Sequence, residues 1–282
     1  VENAKISTKQ STFPVIIFSH GMGATKESYS IFLEESASHG FVIVGADHTH
    51  SCGLTILPDG QKITMIKNLS PKLLNAKWVR NMAKENKVNR KDIDFILKPL
   101  KSLNENFKSQ FYKKLDLENI GIIGHSMGGV ATVEACRTND LLKAGINLDG
   151  WHNAVNTTEG FNKPFMFLLG EEETKKLEFE TDKEMEDYRQ AYIDKIQELF
   201  DALQTNKYKI TIKKMDHNGF SDNTWLKELP IFKFYKADLC TTPEDGYKMT
   251  TLVSDYIVWF FDKYLKQRDR RFPEYQEAIV ER

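Results

Sequence analysis

Apolar and polar positions alternate along this chain with two distinct periods. Short runs rich in branched and aromatic residues recur at Val15–His20, Phe41–Asp47, Ile120–His125, Ala144–Asp149, Pro164–Gly170 and Tyr208–Met215. Each has the length and composition of a buried strand. Helical patterns lie between them. Tyr29, Phe32 and Leu33 share one face after the first run. Asp92 to Tyr112 predicts a second helix, broken near Pro99. Met185, Tyr188, Tyr192, Ile196, Leu199 and Leu203 form a stripe of period 3.6. A last helix spans Tyr247 to Leu265 and carries Leu252, Tyr256, Trp259 and Phe260. Strands alternating with helices predict an α/β fold, a mostly parallel central sheet with helices on both faces.

The pattern reads as one domain over residues 1–282, with 171–206 as a helical insertion and the charged tail from Lys266 at the surface. Val1 is not a methionine, and the first strong strand arrives almost at once. An upstream piece, lost as a signal, as a pro-segment or by truncation, with N-terminal strands possible within it, is therefore expected, and the compartment stays open, secreted or periplasmic before cytoplasmic.

Open sheets of this kind gather their sites at the carboxyl ends of the strands. There the chain places His20-Gly21-Met22-Gly23, Asp47-His48, Ser126, Asp149, Gly170-Glu171 and Asp216-His217. The run from Ile120 ends in Gly124-His125-Ser126-Met127-Gly128, of the form G-x-S-x-G, with a strand before it and a helix after it. A serine at so tight a turn is lifted towards solvent as a nucleophile needs to be. Serine also needs a base, and the base an orienting acid. Two histidines follow it, His152 and His217. His217, in the polar segment after the last strand, is the better candidate. Asp149 and the Glu171–Glu173 run compete for the acid. Asp149 ends a buried strand and needs a partner there, whereas three adjacent glutamates look like a solvated turn. The oxyanion hole requires two backbone N–H groups. Met127, at a helix start, supplies one, and Met22 in the H-G-M-G loop the other, with Gly21 letting the backbone approach substrate.

Net charge is −1, with 40% hydrophobic and 28% charged residues. That gives nucleic acid no electrostatic footing, and no apolar run approaches the length of a transmembrane span. The three cysteines, Cys52, Cys136 and Cys240, are too widely spaced for a zinc pattern. They read as buried free thiols. The Asp47-His48-x-His50 spacing is a weak metal signal without a second cluster, so neither metal nor cofactor is called for.

The segments FPVIIFSHGMG, SHGFVIVGADH, IGIIGHSMGG, AGINLDGW and DHNGFSD, in this order, resemble the α/β-hydrolase superfamily. Within it they are similar to the platelet-activating factor acetylhydrolase family, the plasma and type II lipid esterases with their bacterial relatives. The resemblance runs from about Phe13 to Leu265. It implies a calcium-independent serine esterase that removes short or oxidised acyl groups from the sn-2 position of a phospholipid. It assigns the acid to Asp149, the base to His217, and the oxyanion donors to Met22 and Met127. Met127 departs from the aromatic residue often found after the nucleophile. Trp151, Phe220 and Trp225 are expected to line substrate access, and the helix around Tyr188–Leu203 or the segment Thr224–Lys236 to touch a lipid surface. The competing readings are a general carboxylesterase, a polyester or dienelactone-type hydrolase, an acyltransferase, and a non-catalytic binding protein on this scaffold.

Overall fold

The computed structural model describes residues 4–66, 76–150, 159–171, 182–231 and 245–282. Seven strands form the main sheet: β1 (Phe13–Ser19), β2 (Val42–Ala46), β5 (Leu115–His125), β6 (Leu142–Leu148), β7 (Phe165–Gly170), β8 (Lys207–Ile212) and β9 (Ala278–Glu281), in the spatial order β2-β1-β5-β6-β7-β8-β9. All neighbours are parallel except β8 and β9. A small antiparallel hairpin, β3 (Leu54–Ile56) with β4 (Lys62–Thr64), follows β2. The helices are α1 (Ser30–Ser38), α2 (Ala76–Glu105), α3 (Met127–Thr138), α4 (Asp182–Ala202), the single turn α5 (Asn223–Leu226) and α6 (Gly246–Leu265).

Alternation along the strands makes two cores. Ile16, Phe18, Ile146, Met166 and Leu168 face one side, where α1 and α6 cover them with Phe32, Tyr256, Phe260 and Phe261. Val15, Ile17, Ile122, Phe165 and Phe167 face the other, under α2, α3 and α4. This is the arrangement that strands buried on both faces require. In α4 the stripe residues Ile196 and Leu199, with Leu203 just beyond it, are buried in that second core, so the helix serves as the crossover between two adjacent parallel strands. The side chains at 185 and 188 lie outside the described residues.

Three sequence expectations need correction. The helix placed at Asp92 to Tyr112 is α2, which begins at Ala76 and runs unbroken through Pro99. Proline removes one backbone donor, and Phe95, whose carbonyl would have received it, sits on the outer face with its side chain 70% exposed. The tail does not simply lie on the surface. Phe272 packs against the ring of Trp259 at 4.7 Å, and β9 adds an antiparallel edge to β8. The β3–β4 hairpin was not anticipated, its strands being three residues each.

Register sets the rim. Ser19 pairs with Gly124, Gly124 with Asn147, and His125 with Leu148, so β1, β5 and β6 end almost level. The connections leave β1 and β5 in opposite directions, which makes a crevice at their carboxyl ends. Helix α3 starts hard against this rim. A Cβ on Gly128 would sit 2.1 Å from the Ser19 carbonyl oxygen and 2.7 Å from that of His20, so only glycine lets α3 close on β1.

Buried polar groups tie β1, β2 and α2 together below the rim. The ring of His48 bonds Ser19 Oγ at 2.8 Å and the Asp92 carboxylate at 2.9 Å. Its backbone N–H donates to His20 Nε2 at 2.8 Å, and His20 Nδ1 donates to the Gly21 carbonyl at 2.7 Å. Burial, with the neighbouring His48 adding to it, lowers the pKa of His20 from 6.5 to about 4.

Gly128→Ala should lower the unfolding free energy by more than about 2 kcal/mol, read by urea denaturation; an unchanged midpoint would contradict the packing described. For His20 the folded pKa lies below the unfolded one. Its contribution is therefore complete above pH 6.5 and is lost as pH falls through 6.5 towards about 4, by about 3 kcal/mol. Unfolding curves between pH 7 and 4.5 should show a shallower pH slope in His20→Asn than in the parent chain.

Candidate active site

Ser126 occupies the corner between β5 and α3 with φ 55° and ψ −120°. Positive φ on a non-glycine residue is strained and persists only where its surroundings enforce it. Here the Ser126 N–H donates to the Leu148 carbonyl at 2.9 Å, and Gly128 allows the close approach just described. Ser126 is partly exposed at the rim.

Asp149 is one residue beyond β6 and also has positive φ, 50°. Its N–H bonds the Leu168 carbonyl at 2.9 Å, and the next N–H, that of Gly150, bonds Asn147 Oδ1 at 2.6 Å. The buried carboxylate is fully engaged. Oδ2 accepts from His217 Nδ1 at 2.6 Å, while Oδ1 accepts from the Tyr192 hydroxyl and from the Gly170 N–H, both at 3.1 Å. Glu171, the rival acid, instead accepts from the Lys214 backbone N–H at 2.9 Å in an exposed position. Glu172, Glu173 and His152 lie outside the described residues.

His217 opens a 3-10 turn, His217–Phe220, after β8. With Nδ1 donating to Asp149, Nε2 is left as the basic atom of the ring. Its backbone carbonyl accepts from His125 Nε2 at 2.9 Å, and the two imidazoles lie 4.5 Å apart. The histidine next to the serine thus holds the loop of the candidate base. Burial holds the pKa of His125 well below its ordinary value, and the adjacent His217 adds to the effect. His125 is therefore a neutral scaffold residue.

The H-G-M-G loop lies across the crevice from Ser126. A Cβ on Gly21 would come within 3.1 Å of Ser126 Cβ, 3.0 Å of Tyr29 Oη and 2.9 Å of His125 Nδ1, so this position tolerates glycine alone. His20 Nδ1 and the Ala24 N–H both bond the Gly21 carbonyl. In a trans peptide the N–H points opposite to the C=O, so these bonds direct the Met22 N–H away from them. The loop is held again by Gly23 N–H to Ser51 O and Gly53 N–H to Ala24 O. Neither the Met22 nor the Met127 N–H has an acceptor among the described residues.

The remaining expected residues are placed differently. Phe220 is only 1% exposed, inside the α1–α6 core with its ring 6.2 Å from that of His125. It supports the histidines and is too buried to line substrate access. Trp225 lines a groove of about 330 Å³ with Ile31, Glu35, Tyr247 and Thr250, which includes none of Ser126, Asp149, His217 or Met22. Trp151 lies outside the described residues. Sequence reasoning had placed Tyr29 and Tyr192 only in apolar stripes; the available signal was a hydroxyl in a buried stripe, which needs a partner.

Three possible metal donors do converge, in atoms of His20, Asp47 and Cys52 within 4.8 Å of one another. Each is already committed. His20 uses both ring nitrogens, Asp47 accepts from the Lys26 N–H and Nζ, and the Cys52 thiol bonds the Leu54 carbonyl. Cys52 and Cys136 are buried free thiols, and Cys240 lies outside the described residues. No helix among the described residues is long and apolar enough to cross a membrane.

Known proteins share both this fold and this sequence. A ferulic acid esterase from Streptomyces cinnamoneus superposes with a TM-score of 0.67 over 96% of this chain and 74% of its own, at 22% identity, which establishes the α/β-hydrolase fold. A platelet-activating factor acetylhydrolase from Gallus gallus is 27% identical over 79% of this chain and 56% of its own length. One from Bos taurus is 31% identical over 53% and 37%. A probable 1-alkyl-2-acetylglycerophosphocholine esterase from Arthroderma benhamiae is 30% identical over 53% and 35%. The chain spans about half the length, or less, of these curated relatives. A family model described as platelet-activating factor acetylhydrolase, isoform II, matches residues 1–278, and the chain belongs to that family.

Proposed function

We propose that this chain is a serine esterase acting on short or oxidised acyl esters, with the sn-2 acyl group of platelet-activating-factor-like phospholipids as its substrate class. The observation that carries the reading is the 2.6 Å bond from His217 to Asp149, made beside the strained turn that presents Ser126. The names of the relatives support the substrate class.

In this reading His217 Nε2 takes the Ser126 hydroxyl proton as Oγ attacks the ester carbonyl carbon. Asp149 holds the imidazole in the tautomer this requires and stabilises the imidazolium that forms. The Tyr192 hydroxyl and the Gly170 N–H hold the carboxylate in its orientation. The developing oxyanion accepts from the Met22 and Met127 N–H groups, and the N-terminus of α3 adds its positive end. The imidazolium then protonates the leaving alcohol, and the acyl group stays on Ser126. Water, deprotonated by the same His217, attacks the acyl-serine and releases the acid.

Peripheral lipid contact falls to the segment beginning at Thr224. Trp225 and Ile231 are 39% and 58% exposed there, beside Lys227. Residues 232–236 of that segment lie outside the described residues.

Ser126→Ala should cut turnover of p-nitrophenyl acetate by about 10⁴-fold or more, and Asp149→Asn by a comparable factor, without change in the circular dichroism spectrum. Substantial activity in Ser126→Ala would end this reading. In a panel of acetylated ether phospholipid, oxidised phospholipid and simple esters, the two phospholipids should give the higher kcat/KM; equal values would favour a general carboxylesterase. Trp225→Ala should reduce sedimentation with phosphatidylcholine vesicles, and unchanged binding would remove the lipid-contact segment.

A further inference from the structure

One buried phenol joins the two loops that meet at Ser126. The Gly21 N–H donates to Tyr29 Oη at 3.1 Å, Tyr29 Oη lies 2.8 Å from His125 Nδ1, and His125 Nε2 lies 2.9 Å from the His217 carbonyl oxygen. The direction of this chain is determined from one end. A carbonyl only accepts, so His125 carries its hydrogen on Nε2. A neutral imidazole then has an acceptor at Nδ1, so the Tyr29 hydroxyl donates to it. The phenol oxygen, having given its hydrogen to His125, is free to accept from Gly21. Every donor meets an acceptor, in one direction only.

The two ends of the chain belong to two parts of the proposed machinery. Gly21 precedes Met22, and the last acceptor is the backbone of His217 itself. We propose that Tyr29 and His125 are positioning residues. Their hydrogen-bonded strut sets the separation between the Met22 N–H and the His217 imidazole across Ser126. This inference rests on the roles given to Met22 and His217 above. Misplacement on the scale of 1 Å at such a site is worth about two orders of magnitude in rate.

The ring of Tyr29 has a separate, structural duty. It packs 4.8 Å from Phe18 and 6.0 Å from Phe32, and a phenylalanine would fill the same space. A second joint also connects the same segments. The Asp222 carboxylate accepts from the N–H groups of Ser30 and Ile31, and the Asp222 N–H donates to the Ser28 carbonyl. Removing the Tyr29 oxygen therefore leaves the loop after His217 attached to α1 and takes away only the strut. His125 has one further consequence for the reaction. Its ring lies 4.5 Å from that of His217, and a neutral neighbour does not oppose the charge that His217 acquires when it takes the serine proton.

The test is Tyr29→Phe, assayed on p-nitrophenyl acetate with active sites titrated by a fluorophosphonate. A purely structural role lowers the number of titratable sites. A positioning role lowers turnover at each site. The expected result is a fall in kcat per titrated site of about 10- to 100-fold with KM within about threefold. Affinity for a trifluoromethyl ketone, whose hemiketal oxygen mimics the oxyanion, should fall by a similar factor. A kcat per site within twofold of the parent chain would overturn the proposal. If Tyr29→Phe does not fold, the comparison of His125→Gln with His125→Leu decides. The first keeps a donor for the His217 carbonyl and should recover part of the turnover that the second loses; equal turnover in both would overturn the strut. Activity surviving in Ser126→Ala would instead remove the underlying catalytic reading, so the two failures are told apart.

Discussion

Everything at the rim depends on a parallel ladder that keeps three strand ends level. Ser19, Gly124 and Asn147 lie in register, so the residues just beyond them emerge together. The connections that leave β1 and β5 in opposite directions open the crevice there. Closing α3 onto this edge requires the near-contact of Gly128 with the Ser19 carbonyl. Ser126 and Asp149 take positive φ at this edge. The strain is held by bonds from neighbouring strand ends, Ser126 to Leu148 and Asp149 to Leu168. A conformation that a free chain avoids thus becomes the one the sheet enforces.

Three histidines at the rim divide into two kinds by environment. His20 and His125 are buried, and burial holds both in the neutral form. They act as rigid donors and acceptors that orient the Gly21–Met22 peptide and the His217 backbone. His217 is partly exposed and bonded to the Asp149 carboxylate, the arrangement that the proposed role as base asks for. One residue type therefore builds both the frame and the proposed base, and burial separates the two.

The ferulic acid esterase shares the fold at 22% identity, and such a likeness says nothing about substrate. What separates members of so broad a fold is the detail around the crevice. Here that detail includes the Asp149–Tyr192 contact from α4 and a methionine after the serine.

The amino-acid sequence by itself determined the class and the outline. Six strands and the Ser126 turn were legible because strand period, glycine spacing and the strand–turn–helix order are local properties. Its failures were of two kinds. Short elements, such as β9 and the β3–β4 hairpin, carry little periodic signal, since strand pairing rather than propensity stabilises them. Asp149 was preferred over Glu171 from its buried strand end, but the geometry of contacts between distant residues was invisible. The meeting of Asp149, rather than Glu171, with His217 follows from strand register, and Phe220 is withdrawn into the core by the packing of α1 and α6. The hydroxyls of Tyr29 and Tyr192 looked like members of apolar stripes. Only the tertiary structure decided their partners, because a hydrogen bond between residues 96 apart, Tyr29 to His125, is set by how helices close over the sheet and leaves no periodic trace along the chain.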